Sequence, residues 1–287
     1  MSTHQQQKSF APLVAAKSSV GRESCTAATV FYSRMTLLVL LLMSSLTPPS
    51  VERPISLSSF HAVELSVRAT MRVEQAPVAS VVAKGDPRLV RCVSVTERDG
   101  VISIGWAGQN GASKQARASG DDIVVTARAD CRRQSSVQGL TVRVAAPFID
   151  AVTIREQGAV QVQPMRVRAF AANIPGRGSI TIAALRASST KLSVAGNGRI
   201  DVAGELGRLV ISVPGTGVID AKAANASAIN LSVAGQASIA VTVNGPASGS
   251  IAGKGMVAIG GRPVCAIRNV GKGRVICPAA GNKAGRA

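Results

Sequence analysis

Aromatic residues are scarce in this chain: one Trp, one Tyr and five Phe make up 2% of 287 residues. From Leu140 to Pro278 the only rings are Phe148 and Phe170. Sandwich and enzyme cores are usually filled with rings, so a core without them points to a thin layer packed by Val, Ile, Leu and Ala. The same scarcity removes the stacking platform on which single-stranded nucleic acid is read. Both histidines, His4 and His61, precede residue 140, and no Cys-x-x-Cys occurs, which argues against zinc. Acids are few as well. Residues 140–278 hold only Asp150, Glu156, Asp201, Glu205 and Asp220, too dispersed for the acidic and aromatic groove of a carbohydrate-active enzyme. No Gly-x-x-x-x-Gly-Lys-Ser/Thr is present, so the glycine pairs are not phosphate loops. Long apolar runs are also missing. The stretch 35–46 is too short to span a bilayer and reads as the apolar region of a signal peptide within an N-terminal extension, 1–50. Lys8, Lys17, Arg22 and Arg34 precede it, against Glu23 alone. No stable membrane span is expected once this segment is removed.

What the chain has is glycine, 28 of them, placed with a period. Glu156-Gln-Gly158, Gly176-Arg-Gly178, Gly196-Asn-Gly198, Gly215-Thr-Gly217, Gly235-Gln-Ala237, Gly253-Lys-Gly255 and Gly271-Lys-Gly273 are each followed two residues later by a branched aliphatic residue. Those residues are Val160, Ile180, Ile200, Ile219, Ile239, Val257 and Val275. Two alternating apolar residues precede most copies, as in Leu192/Val194, Ile211/Val213 and Leu231/Val233. Period-2 alternation on both sides of a glycine turn favours strand over helix. Self-similarity at this spacing marks a solenoid whose repeats bury their apolar faces against their neighbours. The expected fold is all-β: a right-handed parallel β-helix of about seven coils of 18–20 residues over 140–278. The branched residues should form a buried ladder, and the glycines should sit at corners with positive φ. A less regular β portion, 54–139, precedes the coils. It includes a Gly/Ser-rich mobile loop at 106–120, a turn at Gly85-Asp86-Pro87 and a hairpin cue at Arg98-Asp99-Gly100. The tail 279–287 has no apolar pattern and should be disordered.

Net charge is +18, but the cations alternate with apolar residues instead of clustering. That is the pattern of a solvated strand face, and no specific nucleic acid is expected as a partner. Acidic envelope or surface glycans suit a basic edge, and exposed end coils offer a route to self-association. Cys92, Cys131, Cys265 and Cys277 follow the signal segment, an even number suited to disulfides in an exported protein. Three pairings are open, with four buried thiols as the alternative. Cys265–Cys277 would close the last coil and Cys92–Cys131 would tie the N-terminal part.

The repeated Gly-x-Gly-x-Ile/Val with its preceding Leu-x-Val resembles the bacterial family described as "putative auto-transporter adhesin, head GIN domain". The resemblance covers roughly residues 54–278. It includes the opening Ser59-Phe60-His61-Ala62-Val63, the turn Lys84-Gly85-Asp86-Pro87 and the closure Pro263-Val264-Cys265 to Gly271-Lys272-Gly273-Arg274-Val275-Ile276-Cys277. It implies an exported, right-handed single-stranded parallel β-helix in two stacked portions, located in the periplasm, at the cell surface or secreted, with no catalytic residues assigned. Family members usually carry Gly-Ser-Gly at the turn. Here the middle residue is Arg177, Asn197, Thr216, Gln236, Lys254 or Lys272, and Ala237 replaces one glycine, so this edge is more cationic.

Asp201 and Asp220 occupy the same repeat position, which in register puts their carboxylates about one strand spacing apart, as a paired acid/base site would require. The competing reading is a solvent-facing charge ladder, since each follows a buried Ile and has Arg199 or Lys222 beside it. Calcium-binding repeats place Asp two residues after the second glycine, a slot held here by the aliphatic ladder. Trp106 is a candidate sugar-stacking residue or a residue packing a loop. The sequence therefore reads as a non-catalytic binding or structural module needing no cofactor and no metal, with a β-helix lyase or hydrolase, or an end-to-end scaffold, as alternatives.

Overall fold

A computed structural model describes residues 51–57, 59–107, 131 and 139–278. The signal segment, nearly all of the 106–120 loop and the tail 279–287 lie outside the described residues. Strand alternation is the local cause of the fold. In β12 (Asn197–Val213), Ile200, Val202, Leu206, Leu209, Ile211 and Val213 are buried, while Arg199, Glu205 and Arg208 face solvent. The spacing of the buried residues slips after Val202 and again after Leu206. At these two points the strand bends, so one turn wraps three faces of a narrow core.

Turns stack in parallel on their neighbours, β11 (Arg177–Val194) on β12 and β12 on β13 (Thr216–Val233). The stack forms a β-solenoid of about six turns. The seventh glycine-led copy opens only β18 (Arg274–Ile276). On the first face, Val160, Ile180, Ile200, Ile219, Ile239, Val257 and Val275 are successive register partners. Met71 and Val142 extend the column downward. All but Val275 are at most 1% exposed. Burying each contributes roughly 1.5–3 kcal/mol.

Stacking does not begin at residue 140. β2 (Ala62–Leu65) and β3 (Ala69–Gln75) lie in parallel between β6 (Val101–Trp106) with β7 (Thr141–Ala146) on one side and β8 (Ala151–Ile154) with β9 (Gln157–Val162) on the other. The first rung in the chain is thus not the first in the stack. Its corner, Ser66-Val67-Arg68, lacks the glycine pair, and it lies roughly 40 to 90 residues along the chain from its spatial neighbours β6, β7, β8 and β9; this hid it from a periodic reading.

The lower end is closed by reversed strands. β4 (Ser80–Gly85) runs antiparallel to β7 and to β1 (Val51–Ser56), and β5 (Val93–Arg98) runs antiparallel to β6. Asp99 and Gly100 join β5 to β6 with φ of 54° and 74°, the left-handed pair a tight hairpin requires. The turn expected at Gly85-Asp86-Pro87 instead leads into a short helix, α1 (Pro87–Cys92). The Asp86 carboxylate accepts the Arg88 N–H at 2.7 Å, Pro87 occupies the first turn, and Leu89 and Val90 are buried.

Candidate functional site

The glycine edge is built by closeness, not by handedness. A Cβ on Gly196 would sit well inside contact of the Gly176 carbonyl, and Gly235 stands likewise on Gly215 and Gly253 on Gly235. Gly176, Gly215 and Gly271 meet carbonyls of Arg155, Ala195 and Gly253 in the same way. These carbonyls are engaged: Gly176 O accepts Asn197 N–H at 3.0 Å, Gly215 O accepts Gln236 N–H at 2.9 Å, and Gly235 O accepts Lys254 N–H at 3.0 Å. The positive φ expected at these first glycines is absent; in the second set only Gly178 has it, at 147°. The second glycines meet side chains or backbone of the turn below: Leu65 under Gly158, Ile174 under Gly198, Val194 under Gly217, Ile251 under Gly273, and the Ala237 carbonyl beside Gly255. Ala237 fills the same slot at 6% exposure.

Between the glycines, Gln157, Arg177, Asn197, Thr216, Gln236 and Lys254 form an exposed in-register column. A shallow groove runs along it past Val218 and Ser238. The column's cations, Arg177 and Lys254, are separated by amides and a hydroxyl over four rung spacings, about 19 Å at strand spacing.

Asp201 and Asp220 are register partners on the first face. Arg199 lies between them, its Nε 2.7 Å from Asp201 Oδ2 and one Nη 3.7 Å from Asp220 Oδ2. Lys222 Nζ is 3.2 Å from Asp220 Oδ2, and the Lys222 N–H donates to Asp220 Oδ1 at 3.2 Å. Partial burial pushes the Asp220 carboxyl upward. The Lys222 N–H, its ammonium and the Arg199 guanidinium outweigh that, so the pKa falls below its ordinary value. The Asp201 hydrogen bond, followed by its charge, raises that of Arg199. A general acid needs a carboxyl held neutral near working pH; Asp220 is held ionised.

Trp106 is 5% exposed and paired with Val93 across the β5–β6 hairpin, so it packs the core and offers no face to a sugar. Cys92 is bonded to Cys131, and Cys265 to Cys277. A polar chain that the sequence reading passed over lies on the second face: Asn225 Nδ2 donates to Glu205 Oε2 at 3.4 Å, Asn244 Nδ2 to Asn225 Oδ1 at 2.6 Å, and Arg262 N–H to Asn244 Oδ1 at 3.1 Å. Its signal was the near-repeat spacing of residues 205, 225 and 244.

The sequence pattern of the family described as "putative auto-transporter adhesin, head GIN domain" matches residues 59–263. This chain belongs to that family. The matched span runs from just before β2 to just after β16 (Lys254–Gly261), and so takes in the out-of-order rung as well as the first six glycine-led copies. Solved structures share the fold. A protein described as a putative adhesin from Bacteroides fragilis NCTC 9343 superposes with a TM-score of 0.62 at 13% identity, over 80% of this chain and 97% of that one. One described as a putative lipid binding protein from Parabacteroides distasonis ATCC 8503 gives 0.58 at 17% identity, over 80% and 96%. A putative adhesin from the same strain gives 0.52 at 16%, over 80% and 97%. At these identities the likeness concerns the fold. No curated protein matches the chain. Among the described residues, no helix is long and apolar enough to cross a membrane.

Proposed function

We propose that this head GIN protein is an exported, non-catalytic solenoid that holds acidic polymers at the cell envelope. The observation carrying this reading is the exposed turn-edge column, where Arg177 and Lys254 bracket Asn197, Thr216 and Gln236 in register from rung to rung. A net charge of +18 draws polyanions toward it. Asp201 and Asp220 are tied to Arg199 and Lys222, and the Asp220 carboxyl is held below its ordinary pKa, which disfavours the lyase or hydrolase alternative. The adhesin descriptions of two of the similar structures agree with a surface role.

The test is co-sedimentation of the full chain with insoluble polygalacturonate and with neutral dextran beads, at about 150 mM salt, where interactions beyond roughly 8 Å are screened. Retention on polygalacturonate alone is expected, reduced when Arg177, Lys254 and Lys272 are all changed to Gln. Equal retention on both matrices, or none on either, would rule the reading out.

A further inference from the structure

The second face carries a cationic trough distinct from the glycine edge. Arg166, in β10 (Met165–Ile174), and Arg186 in β11 are register partners, stacked one rung apart. Both point outward, because their neighbours Met165, Val167, Leu185 and Ala187 are buried. Arg168 faces the same side two residues further on. Like charges directly opposite each other destabilise a strand pair. Elsewhere the fold relieves such a pair: Arg72 and Arg143 are also register partners, but Arg143 lies 3.8 Å from Glu74 and Arg72 donates to Gln163 at 3.0 Å. Among the described residues, no carboxylate forms an ion pair with Arg166, Arg168 or Arg186.

Phe148 lines the same depression and is 46% exposed. It sits where residues 147–150 climb from β7 past the rung of β3 to β8. Ile149 takes the core position there at 0% exposure, leaving the Phe148 ring in solvent. The depression shares Ala187, Ser188 and Glu205 with a second one that continues past Gly207 to Asn225 and Asn244. Gly207 lets the two rungs close up along this floor, since a Cβ there would strike the Ser188 carbonyl. Glu205 is bonded to Asn225 and marks where the cationic half ends.

We propose that this trough is a binding subsite for a linear acidic polysaccharide. Arg166, Arg168 and Arg186 take the carboxylates, a pairing that their planar donor forks suit. Phe148 stacks on a sugar face, and the amides of Asn225 and Asn244 meet hydroxyls further along. A bound anion also relieves the repulsion between Arg166 and Arg186. The row of amides beyond the cations favours a hydroxyl-rich polymer over a lipid headgroup, which would fill the cationic half alone. The inference rests on the acidic-polymer reading above and moves the main contact from the turn edge to this face.

The experiment measures affinity of the full chain for soluble polygalacturonate by titration calorimetry at about 150 mM salt. Two double variants remove equal charge: Arg166→Gln with Arg186→Gln in the trough, and Arg177→Gln with Lys254→Gln on the turn edge. All four positions are exposed, and melting curves check that each variant folds. The trough pair should weaken binding about tenfold and the edge pair severalfold less, as expected when a few residues dominate a contact. Phe148→Ala should weaken binding and Phe148→Trp should retain it. Equal losses from the two pairs, or wild-type affinity in the trough pair, would overturn the trough while leaving the polymer reading intact. Binding to phosphatidylglycerol vesicles with none to polygalacturonate would overturn both, as would no binding to either.

Discussion

A single methyl group tests what the glycines are for. At Gly196 it would meet the Gly176 carbonyl, which already accepts the Asn197 N–H at 3.0 Å. The rung would have to lift away from its neighbour or give up that hydrogen bond. Gly196→Ala should therefore cost about 1–3 kcal/mol, as overpacking of a tight site does, read as a lower melting temperature. An unchanged melting temperature would show that inter-rung closeness does not dictate glycine here. Position along the turn matters: the slot two residues later accepts a methyl in one rung, at Ala237. The glycine pairs could be seen in the sequence, but the reason for them could not, because contact with the rung below depends on a residue about twenty positions away.

Ladders stabilise at the scale of the element. Ile200 lies between Ile180 and Ile219 at 0% exposure, while Arg199 beside it faces solvent and pairs with Asp201. Ile200→Asp would place a carboxylate mid-column with no cation inside to meet it, and should cost more than about 4 kcal/mol. Arg199→Ala loses only an exposed pairing, about 0–1 kcal/mol. Urea denaturation of both variants measures the contrast, and similar midpoints would contradict a buried column. Alternation revealed these strands because the period of two is strict within each face. The helix α1 escaped notice because its six residues offer no helical periodicity, only an Asp-Pro cap that reads equally well as a turn.

Taken whole, the molecule has unlike ends. β1, β4 and β5 fold back in antiparallel fashion across the lower rungs, with α1 beside them. At the other end, β17 (Val264–Asn269) and β18 are the last strands among the described residues, and Cys265–Cys277 ties them. In a stack where each rung touches only its neighbours, a fault at one end stays there. Changing Cys265 and Cys277 to Ser should speed amide exchange over residues 254–278 while leaving 160–240 at wild-type rates. Faster exchange along the whole length would mean that the end fastening sets global stability.

The repeat, the inward columns and the absence of a ring-filled core followed from the amino acids alone, because strand alternation and a period near twenty residues are local properties that survive without contacts. The same holds for the Asp99-Gly100 hairpin, whose left-handed φ values those two residue types favour. Tertiary structure decided the rest. It placed the rung of residues 62–75 between later ones, buried Trp106, and set Phe148 beside Arg166 and Arg186. Each of these outcomes depends on which rung lies against which, and that order is fixed by backbone pairing across many residues, which spacing along the chain does not record.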